Sequence, residues 1–576
     1  MRKRNRNRWM PVVLSTALVL SQAVTVLADA APDGKTVASG EEFEQWKSSV
    51  WEETKNDWTI VSMTPGSDES QMNFAWYSKS GEAVSFIYGK QKDLSDGKTV
   101  EISSKDTAQI DGNGVSYVSN KVTITGLEAD TVYYYQVSGK NIETFKTGNT
   151  SSFTFAFVGD PQIGSSNEMK AKKPENLTDE FYQVQSDSVA SDSYNWSNTL
   201  NKALEKNPSI NFIVSAGDQI QTNARKVKNT TVSEIEYAGY LSPKALTSLP
   251  VATTVGNHDA DNANYTYHFN VPNVSELGAN DYVGGDYYFT YGNVLFMMLN
   301  TQDTNSAEHQ KFIEETVKAN PDCTWKIVTL HQDIYGSAEH SNEPEIVNLR
   351  YALTPVFEKC GIDVVLTGHD HAYSRSKFLS GDTEVKEITY TDDEFEAMLE
   401  NDIDVGESKE QIFVSPANIK YSTTDADEIK YLSYLKDIMD EGRIKEDTNY
   451  VINPKGILYL TASSSSGSKY YDLVERQQSY IAGRWQEDVP TYSLIDVTET
   501  TLTINTYRTD TNEKIDETVT IVKTADGVNA DSNNETQAAT NTGDSSAMNM
   551  CIAVIVIAGC GVCALTFASK RTKKEQ

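Results

Sequence analysis

Metal-ligating side chains follow five short apolar runs of this chain. Each run ends, within a few residues, in aspartate, asparagine or histidine. Because ligands bind beyond the carboxyl ends of parallel strands in an open α/β sheet, we expect the five run ends to converge on one crevice. Carboxylate, carboxamide and imidazole groups together can hold a pair of divalent cations. The runs and their following residues are Phe153 to Val158 with Asp160 and Gln162; Ile210 to Ser215 with Asp218; Val251 to Val255 with Asn257, His258 and Asp259; Lys326 to Leu330 with His331; and Val364 to Leu366 with His369, Asp370 and His371.

Helical patterns alternate with these runs from Ser152 onward, which predicts strand-helix units. The predicted helices are Asn198 to Lys206, Ala307 to Lys318 with Ser306 as N-cap, and Val347 to Lys359. Later strands are predicted at Gly456 to Ala462 and Tyr492 to Thr506, and a hairpin around Asp510 to Lys514 returns the chain to the sheet. Between them, an acidic insertion at 380–450 either covers the crevice or is a solvated excursion.

A different pattern precedes these units, from about Trp58 to Thr147. Some seven short strands in this stretch predict a β-sandwich. The string from Ile124 to Tyr134, Ile-Thr-Gly-Leu-Glu-Ala-Asp-Thr-Val-Tyr-Tyr, resembles a corner of fibronectin type III domains. That resemblance implies that Leu127 packs in the core and that a tyrosine makes the corner hydrogen bond.

The order of the motifs, Gly-Asp, Gly-Asp, Gly-Asn-His-Asp, His and Gly-His-Asp-His, resembles that of the calcineurin-like metallophosphoesterases. The sandwich before them resembles the purple acid phosphatase-like branch, and the match runs from about Trp58 to Thr506. The resemblance implies an α+β two-domain chain. A fibronectin III-like β-sandwich at 58–148 precedes an α/β metallophosphatase sandwich at 152–523, which has two mixed sheets flanked by helices and a dimetal centre at the strand ends.

The resemblance also implies roles for individual residues around two divalent metal ions. Metal-bound hydroxide attacks phosphorus, His258 protonates the leaving alkoxide, and Asp259 orients the His258 ring. His340, nine residues after His331, is either a substrate-phosphate contact or a surface loop residue. The metal ligands are Asp218 as the bridge, Asp160 and His371 on the first ion, and Asn257, His331 and His369 on the second.

Two positions depart from the purple enzymes. Gln221 stands where their metal-binding tyrosine lies, three residues after the bridging aspartate. Gln162 stands two residues after Asp160 and can give an amide oxygen to the first metal or bind its water. Without the tyrosinate, the identity of the metals stays open among Mn, Fe, Zn and Mg.

The beginning of the chain predicts export. Basic residues precede an apolar stretch from Met10 to Leu27, and small residues at Ala28 and Ala30 offer cleavage points. This layout is typical of a signal peptide, here residues 1–28, and an uncleaved membrane anchor is the alternative.

The end of the chain predicts attachment to a surface. An apolar segment at 549–569 is long enough to span a bilayer, a basic tail at 570–576 follows it, and a disordered stalk at 524–548 precedes it. The string from Thr540 to Asp544 resembles a Gram-positive sortase signal, with Thr540 in place of the usual proline. Cell-wall attachment and simple membrane anchoring both fit. Either one places the chain outside the cytoplasm. The resemblance to a sortase signal implies a Gram-positive bacterium.

Charge and cysteine content exclude two further classes of protein. The formal net charge of -32 argues against a nucleic-acid groove, which needs lysine and arginine to neutralise phosphates. Only Cys323 and Cys360 lie outside the predicted membrane segment, so the chain is no disulfide scaffold. The two cysteines precede strands that we expect to be neighbours, and they either pair or remain buried thiols.

These features predict a surface-anchored phosphomonoesterase that acts on small phosphate esters. A phosphodiesterase or nucleotide pyrophosphatase would use the same site. A protein of another class, an adhesive surface protein with an inactive hydrolase domain, is the third hypothesis.

Overall fold

The computed structural model describes residues 29–31, 34–169, 174–222, 230–260, 263–280, 282–303, 305–338, 340–341, 344–381, 444–474 and 477–524. The predicted signal peptide, membrane segment, tail, nearly all of the stalk and most of the acidic insertion lie outside these residues. Within them, no helix is both long enough and apolar enough to cross a membrane.

The first domain is a β-sandwich of two four-stranded antiparallel sheets, as the sequence predicts. In spatial order, one sheet contains β3 (Ser62–Pro65), β4 (Met72–Lys79), β8 (Ser116–Ile124) and β7 (Ser103–Ile110); the other contains β10 (Glu143–Lys146), β9 (Val132–Val137), β5 (Phe86–Gly89) and β6 (Lys98–Thr99). Leu127 is buried in the core between the sheets, and the Tyr133 hydroxyl accepts the Glu128 N–H at 2.9 Å. The predicted tyrosine corner is therefore present.

The second domain stacks two seven-stranded mixed sheets. The first sheet contains, in order, β13 (Val251–Thr253), β12 (Ile210–Ser215), β11 (Ser152–Val158), β24 (Thr491–Thr498), β25 (Thr501–Arg508), β26 (Val519–Val522) and β21 (Tyr450–Ile452). The second contains β14 (Tyr287–Tyr291), β15 (Val294–Met298), β16 (Trp325–Thr329), β17 (Val364–Thr367), β22 (Leu458–Thr461), β18 (Tyr373–Ser376) and β23 (Ile481–Trp485). Two short pairs complete the strands: β1 (Asp29–Ala31) with β2 (Lys35–Val37), and β19 (Phe378–Leu379) with β20 (Ile444–Glu446).

Apolar side chains fill the space between the two sheets, and helices cover their outer faces. Phe155 of β11 stacks on Phe212 of β12 at 5.5 Å between ring centroids and meets the edge of Phe296 on β15 at 5.3 Å. The helices are α1 (Glu41–Trp46) and α2 (Glu52–Thr54) with Lys47–Trp51 between them, α3 (Asp179–Lys206), α4 (Thr230–Leu241), α5 (Asn264–His268), α6 (Ser306–Ala319) and α7 (Pro344–Cys360). Single helical turns lie at Pro174–Asn176 and Lys244–Thr247.

Three element predictions need correction. Helix α3 begins at Asp179, not Asn198, because much of its buried face is polar and so lacks an apolar period. Helix α6 has Asn305 as its N-cap, not Ser306, and no side chain caps it. The stretch Tyr492 to Thr506 forms two antiparallel strands, β24 and β25, instead of one. Cys323 and Cys360 are both free thiols and do not pair, but they are half-buried and not fully buried as the second alternative expected.

Two buried carboxylic acids lie beneath the loops that follow β11 and β12. Asp192 of α3 accepts the Gly164 N–H at 2.8 Å, and Glu236 of α4 accepts the Thr222 N–H at 2.7 Å. Burial raises the pKa of Asp192 to about 7 and that of Glu236 to about 8, although these hydrogen bonds oppose the shift. The folded protein therefore holds protons there that the unfolded chain releases.

This pair predicts a pH dependence of stability. Because both pKa values are raised above their unfolded values near 4, the folded state binds more protons from about pH 4 to 8, and stability falls as pH rises through that window. Each carboxyl contributes up to ~1.4 kcal/mol per pH unit. In chemical denaturation at pH 5 and pH 8, the Asp192→Asn/Glu236→Gln double variant should lose less stability on going to pH 8 than the parent does. An equal loss in both proteins would contradict the assignment.

Candidate metal centre

The predicted ligands lie together at one end of both sheets. Asp160, Asp218 and Asn257 follow the parallel strands β11, β12 and β13 of the first sheet, and His331 and His369 follow β16 and β17 of the second. The run ends converge on one crevice, as expected. The crevice lies where the carboxyl ends of two stacked sheets meet.

One half of the site gathers around His331. Its Nδ1–H donates to the Ala216 carbonyl at 2.9 Å, which directs the Nε2 lone pair into the crevice. That Nε2 lies 3.0 Å from Oδ1 of Asn257, 3.4 Å from Oδ2 of Asp218 and 3.1 Å from Nδ1 of His369. Four atoms that normally accept hydrogen bonds therefore converge, and such a set is suited to a cation.

The other half gathers around Asp160. Its carboxylate accepts the His369 N–H at 3.0 Å, and its Oδ1 lies 3.7 Å from Nε2 of His371. The Nδ1–H of His371 donates to the Lys469 carbonyl at 2.9 Å, which again leaves Nε2 for a ligand. Gln162, two residues after Asp160, is buried, and among the described residues its side-chain Oε1 has no hydrogen-bond partner.

The electrostatics fit a bound cation. Ligand atoms of Asp160, Asp218 and His331 all lie within 4.8 Å of one another. Burial raises the pKa of Asp160 to about 8. Burial lowers the pKa of His331, but the Asp218 and Asp160 carboxylates outweigh it and raise that pKa to about 10. In the metal-free protein, a proton on Nε2 of His331 therefore supplies positive charge to this cluster. Divalent metal ions would displace that proton and supply the positive charge themselves.

The backbone of the site is strained. Non-glycine residues rarely adopt positive φ, and such residues cluster at functional sites. Five of the candidate ligands do so, which residue type and spacing did not predict. They are Asp160 (φ 44°), Gln162 (34°), Asp218 (48°), His369 (69°) and His371 (48°).

The side chains of His258 and Asp259 form hydrogen bonds with different residues and not with each other. The His258 N–H donates to Asp218 at 2.8 Å, and its ring Nδ1–H donates to the Gln221 carbonyl at 2.6 Å. Asp259 accepts the Gly256 N–H at 3.0 Å and the Gln219 side chain at 3.0 Å. The prediction that Asp259 orients the His258 ring is therefore wrong, because Asp259 stabilises the loop instead.

His340 lies at the site, which favours the first of its two interpretations. Its ring centroid is 4.8 Å from that of His369. Its backbone N–H donates to Asp370 at 2.8 Å, and Asp370 also accepts the Ala338 N–H at 2.7 Å. Asp370 of the Gly-His-Asp-His motif thus positions the loop that carries His340.

Sequence reasoning missed a buried serine run after β22. Ser463 donates to the His371 carbonyl at 2.9 Å, and Ser464 donates to the Asp160 carbonyl at 3.1 Å. Ser466 donates to the Pro161 carbonyl. The signal that could have revealed the run is its place directly after a predicted strand, the same place that the ligands occupy.

Lys469 and Tyr471 were also missed, and they border the site. The Tyr471 ring lies 4.6 Å from the His340 ring and 5.3 Å from the His371 ring, measured between centroids. The Lys469 ammonium lies 4.1 Å from the centroid of Tyr471. Tyr373 and Arg375, which follow the Gly-His-Asp-His motif, donate to the Asp516 carboxylate at 2.7 and 2.6 Å.

Comparison with known families agrees with this geometry. A family model of calcineurin-like phosphoesterases matches residues 153–373, and a model of the purple acid phosphatase N-terminal domain matches residues 59–158. The chain therefore contains a calcineurin-like phosphoesterase domain preceded by a purple acid phosphatase N-terminal domain.

Individual relatives are distant. Purple acid phosphatase 23 of Arabidopsis thaliana is 24% identical over 301 residues, which are 46% of this chain and 58% of the plant protein. An uncharacterised protein of Mycobacterium tuberculosis is 24% identical over 156 residues, 23% of this chain and 29% of its own. The matched parts thus cover less than two thirds of both relatives. The structure of purple acid phosphatase PPD1 from yellow lupin seeds shares the fold, with a TM-score of 0.52 at 13% identity over 84% of this chain and 78% of that chain.

The geometry predicts what removal of the bridging carboxylate does. Loss of a residue that only hydrogen-bonds to a metal ligand costs roughly 10- to 100-fold in metal affinity. Asp218→Asn should cost more than this, because Asp218 would contact both ions. Metal content of the purified protein measures this. Asp259→Asn is the matched control, a buried carboxylate of the neighbouring loop that is a hydrogen-bond partner and not a ligand, so its loss of metal affinity should stay within that roughly 10- to 100-fold range. An Asp218→Asn protein with the parental metal content would refute the bridging role.

Proposed function

We propose that the chain is a dimetal phosphomonoesterase that hydrolyses small phosphate esters. The observation that supports this most strongly is the convergence of Asn257, Asp218, His331 and His369 at contact distances in a buried crevice. Two divalent cations held by these residues with Asp160 and His371 would neutralise phosphoryl charge and activate water for in-line attack. Mn, Fe, Zn and Mg all suit this mixed oxygen and nitrogen set.

The protein groups supply binding and proton transfer. The ring Nδ1 of His258 is committed to the Gln221 carbonyl, so Nε2 is the atom that can give a proton to the leaving oxygen. His340 and Lys469 border the same crevice and can bind the non-reacting phosphate oxygens. Gln162 Oε1, which is buried and has no partner in the part of the chain that the structure describes, can complete the first metal's ligands or bind its water.

Lys469 supports a monoester preference over a diester preference. A monoester phosphate carries one more negative charge than a diester, and a nearby ammonium favours it. We expect kcat/KM on p-nitrophenyl phosphate to exceed that on bis-p-nitrophenyl phosphate by at least about tenfold. A preference for the bis-ester would support the phosphodiesterase alternative. Absence of turnover on both esters, with metals bound, would support the adhesive protein.

General-acid catalysis by His258 predicts a dependence on the leaving group. His258→Ala should slow an alkyl phosphate by about 10²- to 10⁴-fold and an activated aryl phosphate much less, because a basic alkoxide needs the proton most. The comparison uses glycerol phosphate and p-nitrophenyl phosphate on protein of unchanged metal content. Equal losses on both substrates would mean that His258 only positions phosphate.

We also propose that this chemistry takes place outside the cytoplasm on an anchored protein. The predicted signal peptide and the apolar segment at 549–569 support the proposal from sequence alone. Protease added to intact cells should then remove the activity. Activity that survives until the cells are lysed would contradict it.

A further inference from the structure

A pocket lined by serine, threonine, lysine and tyrosine residues lies between the sandwich and the phosphatase domain. Its volume is about 160 Å³, which suits a small ion or group more than a large ligand. The sandwich contributes strands β7 and β8, and the phosphatase domain contributes helix α5. The lining residues are Ser103, Lys105, Ser119, Lys121, Thr266 and Tyr267.

Strand register places both lysines on one face of the sandwich. Ser103 pairs with Lys121, and Lys105 pairs with Ser119, across antiparallel strands. Directly paired residues share a face, and so do residues two apart on one strand, so the four side chains form one polar patch. Lys105 and Lys121 are diagonal neighbours on that patch.

No carboxylate of the described residues neutralises this patch. Within the described ranges neither Lys105 nor Lys121 forms an ion pair, and no acidic residue lines the cavity. The chain has 82 acidic residues against 50 lysines and arginines, so a cavity with two lysines and no acid runs against its composition. Two like charges placed together without a counter-charge repel each other, and a bound anion would remove that repulsion.

Lys121 is held in place for such a role. Its ammonium donates to the Phe269 carbonyl at 2.8 Å, which fixes the side chain and leaves two N–H groups. Burial and the neighbouring Lys105 lower the pKa of Lys121 to about 8. The Lys105 ammonium is 5.7 Å from the centroid of the Tyr267 ring. The Phe269 carbonyl and the Tyr267 ring both belong to the phosphatase domain, so the cavity depends on the domain interface.

We propose that this cavity binds a compact tetrahedral oxyanion, either inorganic phosphate or the phosphate group of a monoester. Lys105 and the free N–H groups of Lys121 supply the positive charge, and the Ser103 hydroxyl supplies a further donor. The site is independent of the metal centre, because none of its lining residues is a candidate ligand or proton donor.

The test is the number of phosphate ions bound by the full chain with its metals in place, measured by equilibrium dialysis with radiolabelled inorganic phosphate. Lys105→Glu should bind one phosphate fewer per chain than the parent, whether or not the metal centre also binds phosphate. Lys98→Glu is the matched control, because Lys98 is exposed on the same domain and its ammonium also lies over a tyrosine ring, 6.0 Å from that of Tyr88. It should bind the parental number.

Lys121→Met gives a second readout and should also lose one phosphate, with an unchanged melting temperature showing that it folds. A phosphonate analogue of glycerol phosphate has no P–O–C ester bond to hydrolyse; if it competes more strongly than unlabelled phosphate, the ligand is an ester, and if it competes more weakly, the ligand is the free ion. Parental stoichiometry and affinity in both Lys105→Glu and Lys121→Met would overturn the proposal. Hydrolysis of p-nitrophenyl phosphate should be unchanged in Lys105→Glu, so failure here is separable from failure of the proposed function.

Discussion

The candidate site depends on a buried cluster of carboxylate, carboxamide and imidazole atoms that needs a positive charge to offset it. Asp160 and Asp218 are buried beside His331, and within the described residues neither carboxylate pairs with a lysine or an arginine. An isolated buried carboxylate is costly, and one imidazolium cannot satisfy all the atoms that converge there. Metal ions that bind only the folded state would therefore add stability as well as chemistry.

The architecture supplies this cluster by bringing two sheets together. Strands β11 to β13 deliver Asp160, Asp218 and Asn257 from one side, and β16 and β17 deliver His331 and His369 from the other. The aromatic layer of Phe155, Phe212 and Phe296 fixes the separation of the sheets. Hydrogen bonds from Ser463 and Ser464 then hold the turns that carry His371 and Asp160, whose positive φ values local propensity does not favour.

Much of this could be predicted from sequence, for a physical reason. Buried parallel strands are continuous apolar runs, and a ligand directly after such a run must lie at the carboxyl edge of a sheet. That reasoning located Asp160, Asp218, Asn257, His331 and His369. It could not show that two sheets share the ligands, because which strands pair depends on contacts distant in sequence.

The misses share a different cause. Helix α3 buries polar residues such as Asp192, so its start has no apolar period to detect. The serine run after β22 has the composition of a solvated loop although it is buried. Asp259 and His258 are adjacent in sequence, but their side chains have different partners. Side-chain direction at a strained turn does not follow from spacing alone.

The central claim is that the two sheets jointly build a centre for two metals. Anomalous diffraction from crystals of the manganese-loaded protein tests it most directly. We expect two peaks about 3.5 to 4 Å apart, one beside Asp160 and His371, the other beside Asn257, His331 and His369, with Asp218 between them. A single peak, or peaks whose ligands come from one sheet only, would contradict it.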